Sequence, residues 1–569
     1  MSISLQKKHP KGLWVLFGTE MWERFNFYGM RAILTLYLVE ALRIGESDVS
    51  IIYGGFLALC YLTPLLGGFL SDQFLGNRFC ITLGAVLMAM GQFFLFYSAS
   101  VFHDSQELSR SILWYGLFII IVGNGFFKPN ISSMVGSLYP PTNKNRLDSA
   151  FTIFYMGINL GALLGQYFVP LIGDVVVNGK RDLHAFRWGF FVAGLGMLLG
   201  MIIFTVLKNK FIITPEGIPI GGVPRESKNE DDKKEEITFS RSAIVMVTGL
   251  FLVLFLAFRY LLVGEIGFHH VGIGSLIKGI IYPLIYASGI SLAVLILTDK
   301  SLTKTELQRI LVIYIVSVFI IFFWAAFEQA GSSLTFIADK QTDRSILNWE
   351  MPASMVQIFN GVFVVLLALP FSALWDRMRS KGLEPSSPLK QAFGLFLIAV
   401  AFFIIAHNVK DLGVHGLLQI KWLVLLYFIM TCAELCLSPI GLSLVAKLSP
   451  QRYVSLLYGI FFISNASGYA LAGSLGAILP ATGDKYVKAR ELGIDLKGVL
   501  DKKITLTQEQ ILLFAHENIP TRYPTFVGFE IQSIYQFFMV FVVLCGIASI
   551  VLGLISPLLK KMMHEAKEF

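Results

Sequence analysis

The sequence predicts an all-α polytopic membrane protein. Of its 569 residues, 55% are hydrophobic and only 15% charged, where a soluble chain carries about a quarter charged residues. Its mean hydropathy is +0.68. Apolar runs of about 20 residues, enough to cross a bilayer, recur about 14 times.

The first six runs cover 13–39, 51–70, 79–99, 111–135, 149–172 and 187–207. A polar stretch, 208–241, holds Pro215, Pro219, Pro224 and a charge run from Glu230 to Glu236, which reads as a flexible linker. Two further runs, 242–263 and 277–298, contain Arg259 and Lys278 and almost no other ionisable group, as expected of a peripheral hairpin. Six more follow at 307–330, 355–374, 389–406, 421–446, 453–478 and 531–558. The expected organisation is an N-terminal six-helix bundle (1–207), a cytoplasmic linker (208–241), an additional hairpin (242–298) and a C-terminal six-helix bundle (299–569) with an extracytoplasmic insertion at 479–529. Such paired half-bundles enclose a midplane cavity.

Orientation follows from basic residues in short loops. Placing the N-terminus in the cytoplasm gathers Arg78, Lys144, Arg146, the linker lysines, Lys300, Lys304, Arg377, Arg379, Lys381, Lys447, Arg452, Lys560, Lys561 and Lys567 on that side. Both termini are then cytoplasmic. Lys7, Lys8 and Lys11 before the first run resemble a signal peptide, but the embedded charges and the lack of a small-residue cleavage site predict a retained span. A net charge of +8 is spread through the loops, so no nucleic-acid partner is expected. Cys60, Cys80, Cys432, Cys436 and Cys545 lie in or beside apolar runs without metal-ligand grouping, and no metal is expected. No nucleophile-base pair appears either, since His103, His269, His270, His407 and His415 fall at loops and span ends, so an enzyme is not expected.

The first run carries Glu20, Glu23, Arg24 and Arg31, each of which costs at least ~3 kcal/mol if isolated in the bilayer core. At ~100° per residue, Glu20, Phe27, Arg24, Arg31, Glu23 and Tyr28 project within about 140° of one another. This stripe faces protein or a polar cavity. An internal ion-pair cluster that only staples helices is the competing reading.

Further polar groups are buried in other runs. Lys128 in Phe126-Phe127-Lys128-Pro129-Asn130 is too far from its helix end to snorkel, so it needs a partner or an anionic ligand. Tyr155 and Asn159 are four apart and share a face, while Gly157, Gly161 and Gly165 form a strip for close helix contact. Trp324 and Glu328 are again four apart; Gln357 and Asn360 follow in the next run. Glu434 and Ser438 stand one turn apart before a Pro439/Gly441 weak point, which suits a carboxylate on a bending helix. Charge accounting sets Arg24, Arg31 and Lys128 against Glu20, Glu23, Glu328 and Glu434, leaving one surplus carboxylate able to carry a proton. Bases in the first half and Glu434 in the second suit a zwitterion held lengthwise.

The loop Gly67-Gly68-Phe69-Leu70-Ser71-Asp72-Gln73-Phe74-Leu75-Gly76-Asn77-Arg78 resembles the signature of the major facilitator superfamily. Glu20-x-x-Glu23-Arg24-Phe25-x-Phe27-Tyr28-Gly29, Phe126–Asn130, Phe154-Tyr155-Met156-Gly157-Ile158-Asn159-Leu160-Gly161 and Ser438-Pro439-Ile440-Gly441-Leu442-Ser443 together resemble the proton-dependent oligopeptide transporter family, bacterial fourteen-helix type. The resemblance implies a symporter importing di- and tripeptides by alternating access, with no cofactor beyond the proton gradient. It implies proton coupling by Glu20, Glu23, Arg24 and Glu328. It implies substrate binding by Arg24, Tyr28, Arg31, Tyr61, Lys128, Tyr155, Asn159, Trp324, Asn360, Glu434 and Ser438, and gate pairs Arg31–Glu328 and Lys128–Glu434. A monomer in the bacterial inner membrane is expected. Phe27 replaces the first of the usual tyrosine pair and Phe461 the usual tryptophan, departures that bear on side-chain preference. Carriage of another small zwitterion or anion, or peptide sensing without transport, are the alternatives.

Overall fold

The structure, a computed structural model, describes residues 9–139, 146–177, 179–214, 217–223, 239–264, 272–347, 349–410, 412–413 and 416–564. Each expected apolar run is a helix. The first six are α1 (Lys11–Leu36), α2 (Glu46–Leu70), α3 (Asn77–Val101), α4 (Gln106–Ser137), α5 (Leu147–Gly173) and α6 (Ala185–Phe211). The hairpin comprises α7 (Arg241–Val263) and α8 (Ile273–Leu297). Then come α9 (Lys304–Phe327), a short α10 (Ser333–Lys340), α11 (Ile358–Ser380), α12 (Ser387–Val409), α13 (Ile420–Leu448) and α14 (Val454–Gly476). Three short helices follow, α15 (Gly483–Glu491), α16 (Leu496–Leu500) and α17 (Gln508–His516), before the closing α18 (Ile534–Met562). Among the described residues, 13 helices are long and apolar enough to span a membrane. α1 falls outside that set because Glu20, Glu23, Arg24 and Arg31 interrupt its apolar run, although its 26 residues are long enough. The chain is a multi-pass membrane protein.

The helices form two compact units, residues 1–42 with 59–229 and residues 43–58 with 230–569. In the first, α1 lies against α5 and α6, and α3 against α4. The α1/α5 seam is set by the glycine strip. A Cβ on Gly161 would stand 2.1 Å from the Met21 carbonyl oxygen, and one on Gly165 would stand 2.4 Å from that of Phe25. Any larger residue would push the backbones apart.

The expected flexible linker is different in its first part. α6 extends to Phe211, and the following chain folds back through an Ile213–Pro219 bridge. Arg78 fastens it: its Nε donates to the Ile220 carbonyl (2.6 Å), its backbone N–H to that of Gly221 (2.9 Å), and its terminal nitrogens to Asn209 Oδ1 and the Lys208 and Ile212 carbonyls. Gly76, at φ +76°, allows the strap to pass, since a Cβ there would meet the Gly222 carbonyl oxygen at 2.4 Å. A guanidinium that satisfies several backbone carbonyls immobilises the segment more firmly than its composition suggests. Residues 224–238, with the charge run, lie outside the described residues.

The second unit contains the hairpin, the last six spans and the residues between α14 and α18. Most of α7 is exposed, as a lipid-facing helix must be. Arg259 is buried inside the hairpin and donates to the Gly279 carbonyl at 2.6 Å, which explains how a charge persists there. Tyr282 on α8 donates to the Ile51 carbonyl at 2.8 Å. The insertion at 479–529 is a small folded cap, with α15–α17 around Ala489, Leu496, Leu500 and Phe514. Lys485, paired with Glu46 at 3.5 Å, ties it down, as does Gly483 N–H donating to Gln341 Oε1 at 3.1 Å.

Candidate functional site

α1 places its charges as the helical stripe predicts. Arg24 Nε lies 2.7 Å from Glu20 Oε1 and 2.7 Å from Glu23 Oε2. Arg24, Glu20 and Glu23 are 4%, 2% and 0% exposed, so this trio is inside the unit and away from lipid. One guanidinium thus serves two carboxylates, and the trio carries a net negative charge. Glu20 Oε2 and both carboxylate oxygens of Glu23 are buried and accept no hydrogen bond from the described protein groups. Such a site is costly unless a further positive charge, donor or proton is supplied.

Lys128 stands just before Pro129, inside the continuous helix α4. Pro129 has no N–H for the Gly125 carbonyl, and α2 packs directly on that carbonyl, where a Cβ on Gly67 would stand only 2.0 Å away. The Lys128 ammonium lies 3.8 Å from the centroid of the Tyr61 ring on α2, a close cation–π contact. One helical turn beyond Tyr28 on α1, the Arg31 guanidinium sits 5.0 Å from the Tyr28 ring centroid. Two of the expected cations are therefore each paired with an expected tyrosine. Phe27 is buried edge-on to Tyr28, at 5.8 Å between centroids. On α5, Asn159 Nδ2 donates to the Tyr155 carbonyl at 2.8 Å, and the Tyr155 side chain is exposed. That amide hydrogen is used within its own helix.

In the second unit, α9 gives way after Phe327 to a tight turn, Glu328–Gly331, that begins with the buried Glu328. Gln329 Nε2 stabilises the break by donating to the Ala325 carbonyl (2.9 Å) and to that of Ala472 (3.0 Å). Trp324 packs on Tyr469, at 5.7 Å between ring centroids, with Gly468 giving it room.

Asn360, expected to line the pocket, donates to Glu434 Oε2 at 2.9 Å and also faces Thr431 Oγ1 at 3.1 Å. Asn360 thus orients Glu434. Thr431, which sequence reasoning passed over, is fully buried and itself donates to the Tyr427 carbonyl at 2.8 Å. Its place three residues before Glu434 is the signal that could have found it. α13 continues as helix through Pro439, and the side chain of Ser438 lies outside the described residues.

The first unit thus offers the cations Arg31 and Lys128, each with a tyrosine ring beside it, together with the Arg24–Glu20–Glu23 trio. The second offers a carboxylate fixed by an amide. The model of the POT family matches residues 78–220 and 241–487. The chain is 32% identical over 485 residues to the peptide transporter YePEPT of Yersinia enterocolitica subsp. palearctica, covering 83% of this chain and 88% of that one. It is 30% identical over 486 residues to a di-/tripeptide transporter of Lactococcus lactis subsp. cremoris, covering 83% and 90%. A crystal structure of a mutant peptide transporter POT in complex with alafosfalin matches with a TM-score of 0.72 at 27% identity, over 98% of this chain and 97% of that one. By its charged α1 motif, its helix plan and these likenesses, the chain belongs to the POT family.

Proposed function

We propose that this chain is a proton-coupled symporter. It transports di- and tripeptides, the cargo that its relatives' names carry. The observation that supports coupling most is Arg24 shared at 2.7 Å by two buried carboxylates, since a proton on Glu20 or Glu23 would neutralise the trio's surplus charge. The cations Arg24, Arg31 and Lys128 suit a peptide carboxylate, and Glu434, held by Asn360, suits a peptide ammonium. Tyr28, Tyr61, Tyr155, Asn159, Trp324 and Ser438 complete the proposed binding set. The gate pairs Arg31–Glu328 and Lys128–Glu434 belong to the same reading, with protonation and peptide binding releasing them during alternating access.

Energy comes from the proton gradient without a cofactor, and the protein works as a monomer in the bacterial inner membrane with both termini cytoplasmic. It catalyses no covalent chemistry. Uptake of a labelled dipeptide into proteoliposomes under an inward proton gradient tests this. Uptake that ignores a protonophore removes coupling from the account, and a competition series with free amino acids and conjugates replaces the cargo if peptides fail to compete.

A further inference from the structure

A second cavity, in the second unit, has neither Asn360 nor Glu434 in its lining. The face of the second unit that holds the loops after α8, α11 and α13 and the end of α18 is strongly basic. Residues 376–390 and 557–562 contain six Lys or Arg side chains against two carboxylates. Arg452 on this face pairs with Glu306 at 3.2 Å, and Arg309 donates to the Met563 carbonyl at 3.1 Å, so these loops share one side of the membrane.

Here α11, α12 and α18 enclose a cavity of about 400 Å³, lined by Trp375, Leu389, Phe393, Phe396, Lys390 and Gly553, among others. Leu389, Phe393 and Phe396 are 43%, 49% and 51% exposed on a membrane-spanning helix, so its apolar wall opens to lipid. At the polar end Lys390 is only 8% exposed. Its ammonium lies 2.6 Å from Glu384 Oε1 and 4.5 Å from the Trp375 ring centroid. Arg379 also binds Glu384, through Nε at 2.7 Å. Arg379 also pairs with Asp376 at 3.3 Å, so these two cations meet two carboxylates, and the surplus positive charge comes from Arg377 and Lys381 on the same loop and Lys560 and Lys561 at the end of α18.

We propose that this cavity is a binding site for an anionic phospholipid, its phosphate held by Lys390 and Arg379 and an acyl chain lying along Leu389, Phe393 and Phe396. The shape is amphipathic in the same sense as the ligand: an apolar wall toward the bilayer and a cationic end at its surface. A soluble anion would gain nothing from the apolar wall, and a zwitterionic lipid little from the surplus of cations.

The test uses the full chain in nanodiscs that carry brominated phosphatidylglycerol or brominated phosphatidylcholine, with tryptophan fluorescence as readout. Trp375 should be quenched at a lower mole fraction of the anionic lipid, by roughly fivefold per surplus charge engaged, and this excess should vanish in Trp375→Phe. Lys390→Gln should reduce the preference about fivefold. Gly553→Phe supplies a check that leaves every ion pair intact: a Cβ there meets nothing within 4 Å, so the ring fills the cavity and should abolish the excess quenching. Equal quenching by the two lipids overturns the proposal. So does an excess that survives either Gly553→Phe or Trp375→Phe, or one that millimolar inorganic phosphate removes.

Discussion

Replacing Gly161 with alanine tests whether the α1/α5 seam sets the geometry of the charged trio. The new Cβ would lie 2.1 Å from the Met21 carbonyl oxygen and 2.9 Å from Arg24 Cβ. Ordinary contact lies beyond about 3.4 Å, so α1 has to retreat by more than an ångström at the turn that carries Glu20, Glu23 and Arg24. Overpacking of this kind costs about 1–3 kcal/mol. A displacement of about 1 Å at a functional group can lower turnover about 100-fold, equivalent to ~2.7 kcal/mol. The assay is the initial rate of gradient-driven dipeptide uptake in proteoliposomes, with a thermal melt to confirm folding. Gly136→Ala is the control, because a Cβ there meets nothing within 4 Å. Its melt and uptake should both match the wild type. Wild-type uptake by a folded Gly161→Ala protein would refute the reasoning that this seam positions the trio.

Lys128→Ala should abolish gradient-driven uptake while the protein still folds, and wild-type rates in that variant would remove the lysine from the mechanism. Asn360→Ala removes the amide from Glu434; loss of a hydrogen bond to a charged group costs about 1.5–3 kcal/mol, so peptide affinity should fall by roughly 10- to 100-fold, read by competition. At the α11–α12 loop, the hydrogen bond from Arg379, followed by that from Lys390, holds the Glu384 carboxyl down to about 2. Because its folded value is depressed, this ion pair contributes fully above the ordinary value of 4.5 and is lost only as pH falls through about 2. Glu384→Gln should therefore lower the melting temperature equally at pH 5 and pH 8, and a difference between them would contradict this assignment.

The spans were legible because a bilayer demands long apolar runs, and α1 because its charges could survive there only on one shared face. The glycine strip Gly157-Gly161-Gly165 was legible too, since only small residues at that spacing let backbones meet. The strap after α6 was hidden because its order comes from Arg78 reaching across more than 100 residues to backbone carbonyls, and composition near the strap carries no trace of that donor. The pairing of Asn360 with Glu434 was hidden for the same reason: its partners are 74 apart in sequence. The cap between α14 and α18 matched no motif because a small apolar core can be built from many sequences. The grouping of residues 43–58 with the second unit divides α2, a continuous helix whose sequence shows no break there.

The most direct test of the central claim is dipeptide uptake by the reconstituted protein under an imposed inward proton gradient, measured for the wild type and for Glu20→Gln/Glu23→Gln. The account predicts accumulation by the wild type that a protonophore collapses, and loss of that gradient-driven component in the double variant with peptide counterflow retained. Accumulation in the double variant equal to the wild type, and still sensitive to the protonophore, would contradict it.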